Sequence, residues 1–251
     1  MAIKTFKRYE KKYILSKEQY NLLIPRLLEY MNLDEHCIGG NNYQIYNIYY
    51  DTDHDDVIRH SISKPYYKEK LRLRSYYTPK NPSDKVFLEI KKKIGGIVSK
   101  RRVTLTLDEA NKFLSKGIRP KKDSFIDNQV LNEIEYYLQV NDVHPNVYVG
   151  YSRKAFFAKD NHDFRLTFDS LITTRRNNLT LEEGCYGTQL LKNNEYLMEV
   201  KILGSIPLWL THILSELKIY NTHFSKYGNE FIEHCKQEVK NNQGIGGRKI
   251  C

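Results

Sequence analysis

The sequence predicts an α+β fold, a single antiparallel β domain with helices packed outside it. Three observations point there. Most of the chain alternates apolar and polar residues with period two, which places successive side chains on opposite faces of extended strands. Helical patterns separate some of these runs. No internal repeat and no stretch rich in Pro, Gly or Ser divides the chain, so residues 1–240 read as one domain. Residues 241–251, NNQGIGGRKIC, read as a disordered tail.

The elements follow in order. Strand patterns cover 3–14, 43–51, 66–77, 85–94, 97–107, 147–157, 164–171 and 195–203. Gly95–Gly96 between two of them is a two-residue hairpin signal. A helix starts after Ser16, a side chain suited to an N-cap, and extends to about Met31, with Pro25 expected to kink it. Further helices are expected over 108–115, 127–140, 206–219, with Pro207 in the first turn, and 225–240.

The parity of each strand carries the functional signal. In YYKEKLRLRS (66–75), Lys68, Lys70, Arg72 and Arg74 share one face. Arg8, Glu10 and Lys12 share a face, as do Glu89, Lys91 and Lys93, then Lys100 and Arg102. Tyr151 aligns with Arg153, Arg165 with Asp169, and Glu199 with Lys201. The opposite faces are apolar enough to be packed under the helices, which would turn the charged side inward. With Ile94 opposite Ile97, the hairpin sets Lys91 across from Lys100, and like charges so placed cost up to about 1 kcal/mol. An anion between them removes that cost.

Curled into a barrel, about eight such strands leave a lumen wide enough for one slim ligand. A lumen lined by many cations and few carboxylates requires a polyanion, because buried unpaired charge is costly. Arginine forks suit phosphate oxygens, and the few carboxylates suit a divalent cation bridging phosphates. Duplex nucleic acid is too wide to enter. The formal net charge of +10 agrees with an anionic partner. Four widely spaced cysteines suggest reduced thiols, and the expected location is the cytoplasm, with no signal peptide and no membrane span.

RYEKKYILS (8–16), IYNIYYDT (45–52), KLRLRSY (70–76), VFLEIKKKIGGIVSKRRV (86–103), VGYSRKAFF (149–157), RLTFDS (165–170), LMEVKI (197–202) and HFSKYG (223–228) occur in this order. Together they closely resemble the VTC domain, the catalytic domain of the vacuolar transporter chaperone family, within the triphosphate tunnel metalloenzyme superfamily. The resemblance covers about residues 4–235. It implies an eight-stranded antiparallel tunnel with helices outside and an activity that moves the terminal phosphate of ATP onto a growing polyphosphate chain with Mn2+ or Mg2+. Orthophosphate would be the acceptor at initiation, and any membrane partner would be a separate protein.

Carried over by position, the resemblance implies a basic wall in which Arg72, Arg74, Lys91, Lys201 and Lys226 act on the transferred group. Arg8, Lys12, Lys93, Lys100, Tyr151, Arg153, Arg165 and Ser225 would hold the phosphate chain. Glu199 would hold the metal, assisted by Glu10 and Glu89. Two positions depart from the family pattern: His223 stands for a lysine and Lys93 for a histidine. The first strand carries Arg8-x-Glu10-x-Lys12 where a sister family of triphosphatases and cyclases carries ExExK, which favours the polymerase branch. The alternatives are a metal-dependent tripolyphosphatase or nucleoside triphosphatase, and a polyphosphate-binding module without turnover.

Other motifs carry less. DTDHDD (51–56) fails as a calcium loop, since Asp56 stands where Gly is needed, and reads as a turn. GIGGRK (244–249) is no phosphate loop, as no strand precedes it. The 20 tyrosines suggest single-stranded nucleic-acid stacking only as a minor alternative.

Overall fold

The computed structural model describes the backbone of residues 8–161 and 163–245, and side chains over 10–161 and 163–240. The elements are β1 (Arg8–Ser16), α1 (Lys17–Leu28), β2 (Met31–Leu33), β3 (Tyr43–Asp51), α2 (Asp56–Ile62), β4 (Tyr67–Ser75), β5 (Lys85–Ile94), β6 (Ile97–Thr106), α3 (Leu107–Lys116), α4 (Phe125–Val140), β7 (His144–Ala158), β8 (Arg165–Arg175), β9 (Thr188–Gln189), β10 (Glu195–Leu203), α5 (Leu208–Glu216), β11 (Asn221–Thr222) and α6 (Lys226–Ile245).

All strands join one antiparallel sheet in the order β11-β1-β10-β8-β7-β3-β4-β5-β6, with β2 beside β7 and β9 beside β8. The expected closed barrel of eight strands is not formed. The sheet has eleven strands, and no ladder among the described residues joins β6 to β11 or β1. The outer edge of β1 is taken instead by β11, which pairs with Lys12 and Tyr13.

The sheet curls enough to bring Glu10 of β1 into the field of Lys91 of β5, and its two faces differ. On the convex face, Tyr13, Leu15, Leu166, Phe168, Met198 and Val200 bury against Leu23 and Leu27 of α1 and Leu210, Ile213 and Leu214 of α5. Further along, Leu71, Leu73, Val86, Leu88, Val103 and Leu105 bury against Phe113 of α3 and Val130, Leu131 and Ile134 of α4. The helices therefore pack outside, as the apolar parity requires.

The concave face splits in two. Ile45, Val147, Val149, Ile172 and Leu197 form an apolar floor, covered by Ile58 of α2 and Phe224, Tyr227 and Phe231 at and after the start of α6. The charged residues occupy the remainder, so α6 delivers its first turn directly beside them.

Local chemistry explains the helix starts. Ser16 accepts from the Gln19 amide while Gln19 returns a bond to Ser16, a capping box that stops β1 and begins α1. α1 continues through Pro25 and ends at Leu28, short of Met31, which enters β2. Asp51 caps α2 from a distance: its carboxylate accepts from the amides of Thr52, Val57 and Ile58 and from the Tyr227 hydroxyl at 2.5 Å. The acidic run after β3 is thus the entry to a helix as well as a turn. α6 extends to Ile245, past the expected tail boundary at 240, and residues 246–251 lie outside the described residues.

Candidate functional site

The register of β1, β10, β8 and β7 brings one group of charges together. Lys12 lies opposite Glu199, Thr167 separates Glu199 from β7, and Arg153 lies opposite Asp169. Asp169, fully buried, accepts from Arg153 Nε at 2.6 Å and Nη2 at 2.7 Å, a bidentate pair. Lys226, at the start of α6, reaches Asp169 at 2.6 Å and Glu199 at 3.1 Å. Glu199 also faces Lys201 at 3.3 Å, Arg153 at 3.6 Å and Lys12 at 3.8 Å. Lys12 reaches Glu10 at 3.2 Å and donates to the Phe224 carbonyl at 2.8 Å. Burial alone would push both carboxyls up, but these cations hold Asp169 below and Glu199 well below the usual range. Tyr151 presents its ring to Arg153 and Lys226 at 5.2 and 4.6 Å.

A second group forms on β3, β4, β5 and β6 around Glu89. Arg72 Nε and Nη2 both lie 2.7 Å from Glu89, Lys100 lies at 3.1 Å and Arg74 at 3.8 Å. Burial raises the Glu89 carboxyl, yet Arg72, Arg74 and Lys100 outweigh it and bring it down to about 2. Arg74 Nε donates to Asn47 at 2.8 Å and its Nη2 to the Tyr151 hydroxyl at 3.4 Å, which ties the two groups together. Arg72 Nη1 donates to the Tyr49 hydroxyl at 3.1 Å. Burial raises that phenol, but Arg72, Arg74 and Lys70 pull it down to about 8. Across the hollow, Glu10 of β1 and Lys91 of β5 lie in each other's field, although they sit on strands far apart in the sheet.

The remaining expected residues sit at the margins. Arg165 donates to Asp34 at 3.3 Å and to the Tyr43 hydroxyl at 3.2 Å, and lies over the Phe157 ring. Lys93 is exposed beside Lys68. Ser225 accepts from the Gly228 amide at 3.1 Å, so its hydroxyl serves the first turn of α6. The Arg8 side chain lies outside the described residues. Parity placed Asp169 on the inward face with Arg165 but gave it no role, and Tyr49, Asn47 and Asp34 were not singled out. Tyr49 and Asn47 share the inward face of β3, and that was their only signal.

Glu10 and Glu199 lie in each other's field and share Lys12, but no set of three His, Cys, Asp or Glu side chains among the described residues is arranged to hold a metal ion. The ion pairs show why: ammonium and guanidinium groups take the carboxylate oxygens, and Lys226 contacts both Asp169 and Glu199. The donor set does not fit a metal held by protein ligands alone.

What the arrangement can do is bind a linear anion. Cations from β1, β4, β5, β6, β7, β10 and α6 face one hollow, and those of the two clusters are paired with Asp169, Glu199 and Glu89. The VTC domain profile matches residues 7–232. The chain belongs to the VTC domain family. No curated protein sequence matches this VTC-domain chain. Among solved structures, a candidate adenylate cyclase from Bacillus halodurans shares the fold at TM-score 0.52 and 17% identity, covering 86% of this chain and 92% of that one. The Mediator head module of Schizosaccharomyces pombe aligns at TM-score 0.40 and 8% identity, over 84% of this chain and 90% of that one. A Mimivirus capping enzyme triphosphatase aligns at 0.32 and 8% identity, over 84% and 87%. No described helix of this VTC domain is long and apolar enough to cross a membrane.

Proposed function

We propose that this VTC domain is an ATP-dependent polyphosphate polymerase, transferring the terminal phosphate of ATP to a polyphosphate chain held in the basic hollow. The observation that supports this reading is the pair of ion-paired clusters, one around Asp169 and Glu199 and one around Glu89, each with more cations than carboxylates and joined through Arg74 and Tyr151. Phosphoryl transfer demands positioning and charge neutralisation more than covalent chemistry from the protein. Arg72, Arg74, Lys201 and Lys226 are fixed by their carboxylate or hydroxyl partners, so the charge meeting the phosphates is preorganised. The acceptor, a terminal phosphate of the chain or orthophosphate at initiation, is already anionic and needs no general base. Mn2+ or Mg2+, implied by the family resemblance, has no protein-built cage here and is assigned no step.

A second reading, a polyphosphate-binding module without turnover, is favoured by one observation: each buried carboxylate of the site is taken up by cations. Incubation with ATP and Mn2+ separates the readings. ADP with acid-stable polymer supports the polymerase. Orthophosphate without polymer identifies a hydrolase. Tight tripolyphosphate binding with no product identifies the binding module.

A further inference from the structure

Four lysines on β4 and β5 have no place in either cluster as a whole. Lys68 lies directly opposite Lys93, and Lys70 directly opposite Lys91, on the face that carries Arg72 and Glu89. Like charges paired across a ladder destabilise it, and here two such pairs are adjacent. None of the four forms an ion pair with a described carboxylate. Lys68 donates to the Ser61 carbonyl at 2.8 Å, and Lys70 lies 5.4 Å from the centre of the Tyr227 ring. The carboxylates nearest in effect are Glu10 across the hollow from Lys91 and Asp51 near Lys70; Glu69, on the same strand, points to the opposite face with Lys92. Desolvation and the nearby Lys93 lower Lys68, desolvation with Lys68 and Lys91 brings Lys70 down to about 8, and desolvation with Arg72, Lys201 and Lys12 lowers Lys91 against the pull of Glu10.

Charge left unmatched in this way, on strands that hold Arg72 and Arg74 against Glu89, is charge reserved for a ligand. We infer that Lys68 and Lys70, which the family resemblance leaves without a role, extend Lys91 and Lys93 into a row that holds the part of a phosphate chain running beyond the Arg72–Glu89 cluster. From Arg72 to Lys68 is four residues of strand, about 13 Å. A tripolyphosphate seated among the clusters leaves this row empty, whereas a long chain reaches it. The row therefore selects for chain length, and it sets the direction of the chain: along β4 and β5 toward the Gly95–Gly96 hairpin, where Lys91 and Lys93 are exposed. This inference rests on the reading that the hollow holds phosphate chains, not on turnover.

The test compares affinities for tripolyphosphate and for a long-chain polyphosphate at fixed ionic strength, using Lys68→Ala, Lys70→Ala and the double variant. Lys11→Ala, which removes one exposed charge from the convex side, is the control for the general field. Each row variant is expected to weaken long-chain binding at least about tenfold and tripolyphosphate binding less than about twofold. Equal losses on both ligands, or the same loss in Lys11→Ala, would overturn the row. So would a raised KM for ATP with long-chain affinity unchanged, because the row would then hold nucleotide. Thermal melts confirm that the variants fold, since removing one of two facing lysines relieves repulsion. A wild-type protein that binds both ligands and makes no polymer defeats the polymerase reading, while the affinity ratio still decides the row.

Discussion

On the β7–β8–β10 side of the hollow, Asp169 and Glu199 meet Lys12, Arg153, Lys201 and Lys226 within 2.6 to 3.8 Å. On the outer part of β4 and β5, Lys68, Lys70, Lys91 and Lys93 meet one another. Both regions are rows of cations on the same concave face, but each cation of the first has a carboxylate partner within the protein and those of the second have none among the described residues. Balance allows buried cations to be fixed before any ligand arrives, at the cost of competing with it. Imbalance leaves a field that costs stability in the free protein and returns it on binding. A phosphate chain would find a rigid seat in one region and an attractive track in the other.

The largest effect is expected where balance is broken. Asp169→Asn leaves Arg153 and Lys226 without their shared partner, and a loss of about 3–5 kcal/mol in unfolding free energy is expected by denaturant titration. A loss near zero would mean that the pair is not structurally coupled. Glu89 provides the pH counterpart. Its carboxyl is held at about 2 against 4.5 unperturbed, so its contribution is complete above about pH 4.5 and drains away as pH falls toward 2. Roughly 3 kcal/mol is at stake, and acid unfolding of Glu89→Gln should lack that portion of the slope. Arg72→Ala, which removes the bidentate partner of Glu89 and a cation of the hollow, should weaken tripolyphosphate binding by about 1.5–3 kcal/mol in calorimetry. Lys70→Ala should change stability least and in the opposite direction, a gain of up to about 1 kcal/mol in the ligand-free protein. A destabilised Lys70→Ala variant would show that the stacking of Lys70 on Tyr227 outweighs the repulsion.

Much of the scaffold was legible because parity is local. The strands at 43–51, 85–94 and 195–203 lie where the alternation places them, and Gly95–Gly96 sets Ile94 against Ile97 as the hairpin signal requires. What was hidden depends on distant partners. α2 is only seven residues long, and its cap comes from Asp51, at the end of the preceding strand and also bound to Tyr227 far along the chain. β2, β9 and β11 are two or three residues each and exist only through the strands beside them. Closure was misjudged for a similar reason: alternation says which face turns inward, but not whether the last strand reaches the first. In the site, the inward rows could be read from spacing, whereas the joint hold of Asp169 on Arg153 and Lys226 could not, since strand β7 and helix α6 meet there only after folding.

The missing ladder between β6 and the β1–β11 edge has a topological consequence. A fully hydrogen-bonded ring admits a polymer only by an end, threaded like a needle. Among the described residues no ladder joins the two margins, and Glu10 and Lys91 act on each other across the hollow, so parting the margins breaks no described strand pairing. On the proposed function, a polyanion with both termini already engaged elsewhere would be laid in from the flank.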